Sequence, residues 1–198
     1  MIFKLEVNSM EPVQNKSFWN ASAKAGVVFG FVVFLVSTIG SYITIHSEPT
    51  GNLLSGTILA SALGCLVAIF GGVLAVKFYI NEYGPEMKIG QGAVIGLMTG
   101  IVMAVVSQIL ALIWPVIDVA FIENLQTALI ANIELSQQIP DAQKEGMIDG
   151  IYAQFQNFYS VGNILQGFLM GVVTYGLLNV LSGLLGAKFM GRNPQPEL

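Results

Sequence analysis

Four long apolar runs, separated by polar stretches, set the pattern of the chain. They cover residues 25–45, 57–80, 90–117 and 161–190. Asp, Glu, Arg and His are absent from all four runs, and Lys77 and Lys188 lie near run ends, where a lysine stem can reach the membrane surface. The hydrocarbon core of a bilayer is about 30 Å thick, which about 20 apolar helical residues can cross. The pattern therefore predicts an all-α polytopic membrane protein with four transmembrane helices.

The long connection between the third and fourth runs has a helical pattern of its own. Ile122, Leu125, Leu129 and Ile133 recur every three or four residues, the spacing of one helix face. A second row follows Pro140 and consists of Ile148, Ile151, Tyr152, Phe155 and Tyr159. Segment 118–160 is therefore predicted to be an amphipathic helical pair, joined near residues 136–142.

This insert is acidic. It carries a single basic residue, Lys144, against six acids: Asp118, Glu123, Glu134, Asp141, Glu145 and Asp149. The acids do not follow the spacing of a calcium-binding loop. A solvated helix face is the simpler interpretation, and capture of cations or of a basic partner is the alternative.

The basic residues predict the orientation. The first and third connections contain a single basic residue, Lys144. The other basic residues lie before the first run, around the second connection or at the end of the fourth run: Lys4, Lys16, Lys24, Lys77, Lys88, Lys188 and Arg192. Since basic residues concentrate on the cytoplasmic side, we expect a cytoplasmic N-terminal segment (1–24), a transmembrane domain (25–190) with insert 118–160 outside the cytoplasm, and a cytoplasmic tail (191–198). The first run is too long for a cleaved signal peptide, so we expect it to remain as a membrane helix.

Small residues recur at every fourth position within the runs. This spacing places them on one helix face, where the missing side chains let two backbones approach closely. The predicted packing residues are Gly26, Gly30, Ala60, Gly64, Ala68, Gly72, Gly92, Gly96, Gly100, Ala104, Gly167 and Gly171. Packing within one monomer is the simpler interpretation, and packing between chains is the alternative.

The composition leaves little room for chemistry. Only 10% of the residues are charged and the mean hydropathy is +0.71, whereas a soluble domain has roughly 25% charged residues. The basic residues form no stripe, which argues against nucleic-acid binding. A single cysteine, Cys65, and a single histidine, His46, make no metal cluster. No catalytic residue, cofactor or metal is therefore predicted.

Neutral polar side chains inside the runs are the remaining candidates. Gln108, Gln166 and Asn179 cannot bond to their own backbone as readily as Ser or Thr can. We therefore expect them to form hydrogen bonds between helices. Trp19 and Trp114 lie near run ends, as interfacial anchors do.

Several short motifs follow the second run. They are Phe78-Tyr79, the polar turn Asn81-Glu82-Tyr83-Gly84-Pro85, Gly90-Gln91-Gly92 with Gly96 after it, and Gln143-Lys144-Glu145-Gly146-Met147 in the acidic insert. From the second run onward, the chain resembles a bacterial membrane family known as domain of unknown function 4199. Gly92-Ala93 follows the Gly-Gln pair where that family often has Ala-Phe, and residues 1–24 show no match. The resemblance implies a four-helix bacterial inner-membrane protein without an assigned activity or catalytic residues.

These observations favour a non-catalytic protein of the bacterial cytoplasmic (inner) membrane. We expect a structural or accessory component that acts in the lipid bilayer through helix packing and protein contacts, as a homo-oligomer or within a larger membrane complex. The first alternative is a small oligomeric transporter or channel. The second is a lipid-acting membrane enzyme, which would require His46, Glu48 and Asp118 to converge.

Overall fold

The computed structural model describes residues 17–52 and 56–192. Within these residues the chain forms six helices and no strand: α1 (Phe18–His46), α2 (Gly56–Tyr83), α3 (Ile89–Ile117), α4 (Phe121–Leu135), α5 (Asp141–Gln156) and α6 (Val161–Met190). Helices α1, α2, α3 and α6 are long and apolar enough to cross a membrane. The predicted all-α membrane protein with four long apolar helices is thus confirmed. Most of the predicted N-terminal segment and tail lies outside the described residues.

The membrane helices are longer than the bilayer core. They contain 28 to 30 residues each, which corresponds to about 42–45 Å of helix, so their ends extend past a core of about 30 Å. Helix α1 begins at Phe18, ahead of the predicted run, and the Ser17 side chain accepts a hydrogen bond from the Trp19 N–H at 3.3 Å. Such a cap satisfies a backbone donor that the first helical turn leaves free.

The four long helices form one bundle, in the order α1, α3, α6, α2 around its axis. Helices α1 and α3 run in one direction, and α2 and α6 run in the other. We call the end at which α1 begins and α6 ends the terminal end. The opposite end, which carries α4 and α5, is the hairpin end.

The terminal end is closely packed. Tyr79, Met87 and Ile95 are almost fully buried and belong to one apolar cluster that joins α2, α3 and the turn between them. The buried Ser22 hydroxyl donates a hydrogen bond to the Ile95 carbonyl oxygen at 3.1 Å. Helix α1 is therefore fixed to α3 by both apolar and polar contacts.

The segment after α6 pairs with the turn between α2 and α3. The Met87 N–H donates to the Arg192 carbonyl oxygen at 3.0 Å, and the Arg192 N–H donates to the Pro85 carbonyl oxygen at 2.7 Å. Gly84 ends α2 with a φ of +88°, a left-handed conformation that glycine adopts without strain. The Gln91 side chain accepts a hydrogen bond from the Lys88 N–H at 2.7 Å, so the Gly-Gln motif caps the start of α3.

The hairpin end is more open. Helices α4 and α5 lie within the predicted amphipathic insert, but Leu125 is the only buried residue of α4, and none of the 16 residues of α5 is buried. The connection after α1 holds α4 in place, because the Thr50 N–H donates to Asn132 Oδ1 at 3.3 Å. Gly51, with a φ of +68°, packs against the backbone of Leu135.

Candidate functional site

In the terminal half of the bundle, α3 and α6 pack backbone against backbone. A Cβ atom added to Gly92 or Gly96 would overlap a carbonyl oxygen of α6, and the oxygen that faces Gly96 belongs to Asn179. A Cβ atom on Gly100 would lie 2.6 Å from the Gly176 nitrogen. In lipid no hydrophobic effect drives two helices together, so their association depends on van der Waals contacts, and a close approach of the backbones strengthens these contacts. This glycine row packs within the chain.

The other small residues of the predicted packing set divide into two groups. The first group consists of buried alanines and of glycines at which an added Cβ atom would lie less than 3 Å from a neighbouring atom: Ala60, Ala68, Ala104, Gly26, Gly30 and Gly72. The second group comprises Gly64, Gly167 and Gly171, where an added Cβ atom would meet its nearest neighbour at 3.8, 3.3 and 3.4 Å. An added Cβ atom would thus make ordinary contacts at Gly64, although this residue is buried, and at Gly171, whereas at Gly167 it would press on the flexible Gln108 side chain.

Asn179 lies at the centre of the packed half. Its side chain is fully buried, and its Nδ2 donates to the Tyr175 carbonyl oxygen at 2.8 Å and to the Met103 sulfur on α3 at 3.3 Å. Its Oδ1 has no hydrogen-bond partner among the described residues. This oxygen occupies the space next to Gly71, 2.6 Å from where a Cβ atom on that glycine would lie. A glycine Cα–H is a weak donor of the kind found at helix–helix contacts. Asn179 therefore joins α2, α3 and α6.

Gly64, Gly167 and Gly171 line a groove of about 260 Å³ between α1, α2 and α6. Helix α6 has no buried residue before Gly176, so its hairpin-end half packs less closely than the rest of the helix. The groove also carries polar side chains and a thiol: Ser37, Ser61, Cys65, Thr174 and Tyr175. A membrane-embedded face of this composition is suited to a polar ligand or to the small-residue face of another helix.

A larger cleft of about 680 Å³ lies between α3, α5 and α6. Five side-chain amides line it: Gln108, Gln154, Asn157, Asn163 and Gln166. Its remaining walls are mostly apolar, and none of the described residues that line it is charged. Both its volume and its mixture of apolar walls with a few polar groups are typical of sites for small ligands.

The amides in the cleft differ in their bonding. Asn163 Nδ2 donates to the Asn157 carbonyl oxygen at 2.9 Å, and Asn157 Nδ2 donates to the Ala153 carbonyl oxygen at 3.0 Å. Gln108 and Gln166 make no side-chain hydrogen bond to any residue that the structure describes. The interhelical bonds expected for them are therefore not found, because Gln108 lies against Gly167, which has no side chain, and because Gln166 is exposed.

Gln108 lies inside the third apolar run, well before the end of α3. It precedes the last residue of α3, Ile117, by nine positions, or about 13 Å of helix. A hydrocarbon core of about 30 Å centred on α3 places Gln108 about 7 Å inside the hydrocarbon. An amide with no partner at all, water included, would cost several kcal/mol at that depth, and the half-buried Gln108 side chain opens to the cleft. The cleft is therefore a place where water or a ligand would stabilise the protein.

A second polar cluster joins α1 and α3 at the hairpin end, and its Tyr42 ring packs on Phe121 of α4. The Tyr42 hydroxyl donates to Asp118 Oδ2 at 2.5 Å and accepts a hydrogen bond from Trp114 Nε1 at 3.2 Å. His46 stacks on Tyr42, with ring centroids 6.1 Å apart. Glu48 is exposed and does not join the cluster. His46, Glu48 and Asp118 thus do not converge. Tyr42, which was not predicted from the sequence, contacts both His46 and Asp118.

The other acids of the insert do not gather into a metal site. Within residues 17–52 and 56–192, no group of three His, Cys, Asp or Glu side chains is arranged to hold a metal ion. Lys144 pairs with Asp141 at 2.9 Å and also donates to the Glu134 carbonyl oxygen at 3.2 Å, which joins the start of α5 to the end of α4. These two contacts fix the corner of the hairpin.

Three amides of the cleft were not among the residues predicted from the sequence. Gln154 lies in α5 and Asn157 directly follows it, outside the apolar runs, so their polarity was no reason to single them out. Asn163 lies in the first turn of α6, inside the fourth run, and was not included among the candidate polar residues. The available signal was their clustering: residues 154–166 contain five Asn or Gln residues and no charged residue. Only the placement of α5 beside α3 and α6 brings them to Gln108.

Four helices long and apolar enough to cross a membrane, a little-buried helical pair and an amide-lined cleft are the features of a polytopic membrane protein with a cavity of ligand size. The chain belongs to the family described as protein of unknown function (DUF4199), whose family model matches residues 24–188. The match includes the first membrane helix, which the motifs quoted above did not cover. No curated protein and no solved structure matches the chain.

Proposed function

We propose that this protein is a non-catalytic accessory component of the bacterial cytoplasmic membrane that binds a membrane-borne ligand at the hairpin end of its bundle. The observation that carries this proposal is the amide cleft between α3, α5 and α6. Gln108 lies inside an apolar run and makes no side-chain hydrogen bond to a described residue, and a bound ligand would supply the missing hydrogen bonds.

The contrast between the two halves of the bundle supports this proposal. At the terminal end, the glycine row of α3 leaves no space against α6. At the hairpin end, the groove and the cleft share Gly167 and Met170 as lining residues. A rigid half that supports a more open half is an arrangement suited to binding.

The acidic and aromatic cluster supports a structural role better than catalysis. The Asp118 carboxylate and the Tyr42 hydroxyl are bonded to each other, and the Trp114 N–H is bonded to the same hydroxyl. These bonds hold the end of α1 against the end of α3, and the Tyr42 ring also packs on Phe121 of α4, with ring centroids 5.5 Å apart. A lipid-acting enzyme would need a nucleophile and a base within hydrogen-bond reach, and His46 stacks on a ring instead.

For the orientation we propose cytoplasmic termini, with α4 and α5 on the opposite side of the membrane. The distribution of basic residues supports this, because Lys144 is the only one in the two connections at the hairpin end. Cysteine substitutions at Gln137 and Lys88 in a Cys65→Ser background, labelled with an impermeant maleimide on intact cells, would test it. We expect labelling at position 137 alone, and labelling at position 88 alone would overturn the orientation.

The binding function can be tested by native mass spectrometry of the protein extracted in mild detergent. We expect a co-purifying non-protein mass on the wild-type chain that is lost from the Gln108→Leu/Gln166→Leu double variant. Gln137→Leu is the matched control, since Gln137 is an exposed amide outside the cleft. A wild-type protein with no bound mass, or with one that the double variant retains, would contradict the proposal.

A second candidate is a small oligomeric transporter, favoured by the shared lining of groove and cleft. Together the two cavities are lined by polar side chains from α5 to Tyr175, one turn before the close contact between Asn179 and Gly96. Transport would require that packed layer to open. Release of the bound compound from the interior of proteoliposomes would favour this candidate over a binding protein.

The candidate partner for an oligomer is a second copy or another membrane protein that packs on the groove. Gly167, which is exposed, and Gly171, which is half-buried, line it, and helices associate through such small residues. Native mass spectrometry would report this assembly in the same experiment. A strictly monomeric protein would count against it.

A further inference from the structure

We infer that the amide cleft takes a neutral, hydroxyl-rich head group, such as a sugar or glycerol unit, carried by a membrane lipid. This inference rests on the proposed binding function and adds the chemical class of the ligand. It follows from three features of the cleft: the type of polar group that lines it, the absence of charge among its described lining residues, and its apolar flank.

The polar groups are carboxamides, each of which can donate and accept hydrogen bonds. The Nδ2 groups of Asn157 and Asn163 are bonded to backbone oxygens, so these residues present mainly their Oδ1 atoms as acceptors. Gln108, Gln154 and Gln166 have no side-chain hydrogen bond to a described residue and retain both donors and acceptors. A hydroxyl group also has both functions, and several adjacent hydroxyls would match several adjacent amides.

Charge argues against an anionic head group. A phosphate is normally bound by Arg or Lys, and the described lining of the cleft contains neither. The insert that forms one wall carries six acids against Lys144, which repel an anion approaching from that side. An ammonium head group would lack a carboxylate partner in the lining.

The apolar part of the lining explains why a lipid fits better than a free sugar. Leu112, Phe158, Ile164 and Met170 line the cleft beside the amides, and Met170 is 62% exposed. Met170 also lines the groove on the other side of Gly167. An acyl chain can therefore continue past Met170 along the lipid-facing surface of α6 while the head group stays with the amides.

The test is native mass spectrometry of the full chain, reconstituted in nanodiscs with one added lipid at a time. The probes are monoglucosyldiacylglycerol, diacylglycerol and phosphatidylglycerol, with free glucose and glycerol as soluble competitors. We expect the glucolipid to bind best and diacylglycerol to bind measurably. Since one hydrogen bond changes affinity by about five- to tenfold, we expect Gln108→Leu to weaken glucolipid binding by that factor, and Gln137→Leu to leave it unchanged.

Each result bears on a different part of the inference. Preferential binding of phosphatidylglycerol that depends on Gln108 would overturn the head-group assignment but leave the binding function intact. Glucose binding as tightly as the glucolipid would overturn the lipid source. No binding that depends on Gln108 or Gln166 would overturn both proposals. Thermal unfolding of each variant, together with Gln108→Asn as a milder change that keeps the amide, separates lost binding from misfolding.

Discussion

Gly96 of α3 lies directly against the carbonyl oxygen of Asn179 of α6, with no room for a Cβ atom between them. The side chain of the same asparagine is fully buried and donates a hydrogen bond to Met103, two turns further along α3. One residue of α6 thus contacts α3 through both its backbone and its side chain. The first prediction follows from this contact.

We predict that Gly96→Ala destabilises the bundle. The added methyl group meets backbone atoms, which cannot move aside as a flexible side chain can, so α3 and α6 must separate. Overpacking costs about 1–3 kcal/mol, and thermal unfolding in detergent should show a lower midpoint. Gly90→Ala is the control in the same helix, because no described atom lies within 4 Å of its added Cβ. Equal midpoints for both variants would contradict the packing described here.

The glycines of α2 should respond unequally to the same substitution. An added Cβ on Gly72 would overlap the Ser182 hydroxyl and the Asn179 carbonyl oxygen, whereas one on Gly64 would lie 3.8 Å from Val33. We predict that Gly72→Ala lowers the unfolding midpoint and that Gly64→Ala changes the free energy of unfolding by no more than about 0.5 kcal/mol. If Gly64→Ala lost as much stability as Gly72→Ala, this would show that other side chains of the same chain occupy the space beside Gly64.

These two glycines show what the sequence could and could not predict. Gly64 and Gly72 belong to the same four-residue row of α2, so periodicity assigns them the same role. Their surroundings differ because α6 packs closely only from Gly176 onward. How closely two helices pack at each level of the bundle depends on tertiary geometry, which a row of small residues in one helix does not encode.

The membrane spans were predictable for the opposite reason. A helix in lipid must satisfy its backbone within itself, so length and apolarity alone identified the four long helices, and tertiary context had little left to decide. The amide cleft depends on tertiary context entirely. Gln108 and Gln154 are 46 positions apart in sequence, and only the position of α5 beside α3 and α6 places them in one cavity.

The Tyr42 hydroxyl is predicted to stabilise the hairpin end. Tyr42→Phe leaves the Asp118 carboxylate and the Trp114 N–H without the bonds that they form to it. Loss of a partner for half-buried polar groups costs about 1–3 kcal/mol, so the unfolding midpoint should fall and the emission of Trp114 should shift. Tyr159→Phe is the control, since Tyr159 is 56% exposed. An unchanged unfolding midpoint in Tyr42→Phe would show that the hydrogen bonds of Tyr42 do not stabilise the fold.

Helix α5 should gain stability from substitutions that would be harmful in α3. Gly146 and Gly150 lie inside α5, and no described atom lies within 4 Å of an added Cβ at either position. In a water-exposed helix, alanine is preferred over glycine by about 1 kcal/mol. We predict that Gly146→Ala slows backbone hydrogen exchange within residues 141–156 and leaves exchange in α3 unchanged. Faster exchange in α5 would show that Gly146 has a packing partner.

The corner of the hairpin should depend on pH through Asp141. The hydrogen bond and the positive charge of Lys144 hold the pKa of the Asp141 carboxyl below its ordinary value of 3.8. Because the folded pKa is the lower one, this pair stabilises the start of α5 fully above the unfolded pKa, and its contribution is lost as the pH falls through the folded pKa.

We predict that protection of the first turn of α5 against hydrogen exchange, corrected for the intrinsic rate, decreases below about pH 4. In Lys144→Met, where Asp141 loses its partner, this decrease should be smaller, because the pKa of Asp141 then lies close to its unfolded value. A decrease of the same size in both proteins would assign the pH dependence to a group other than this pair.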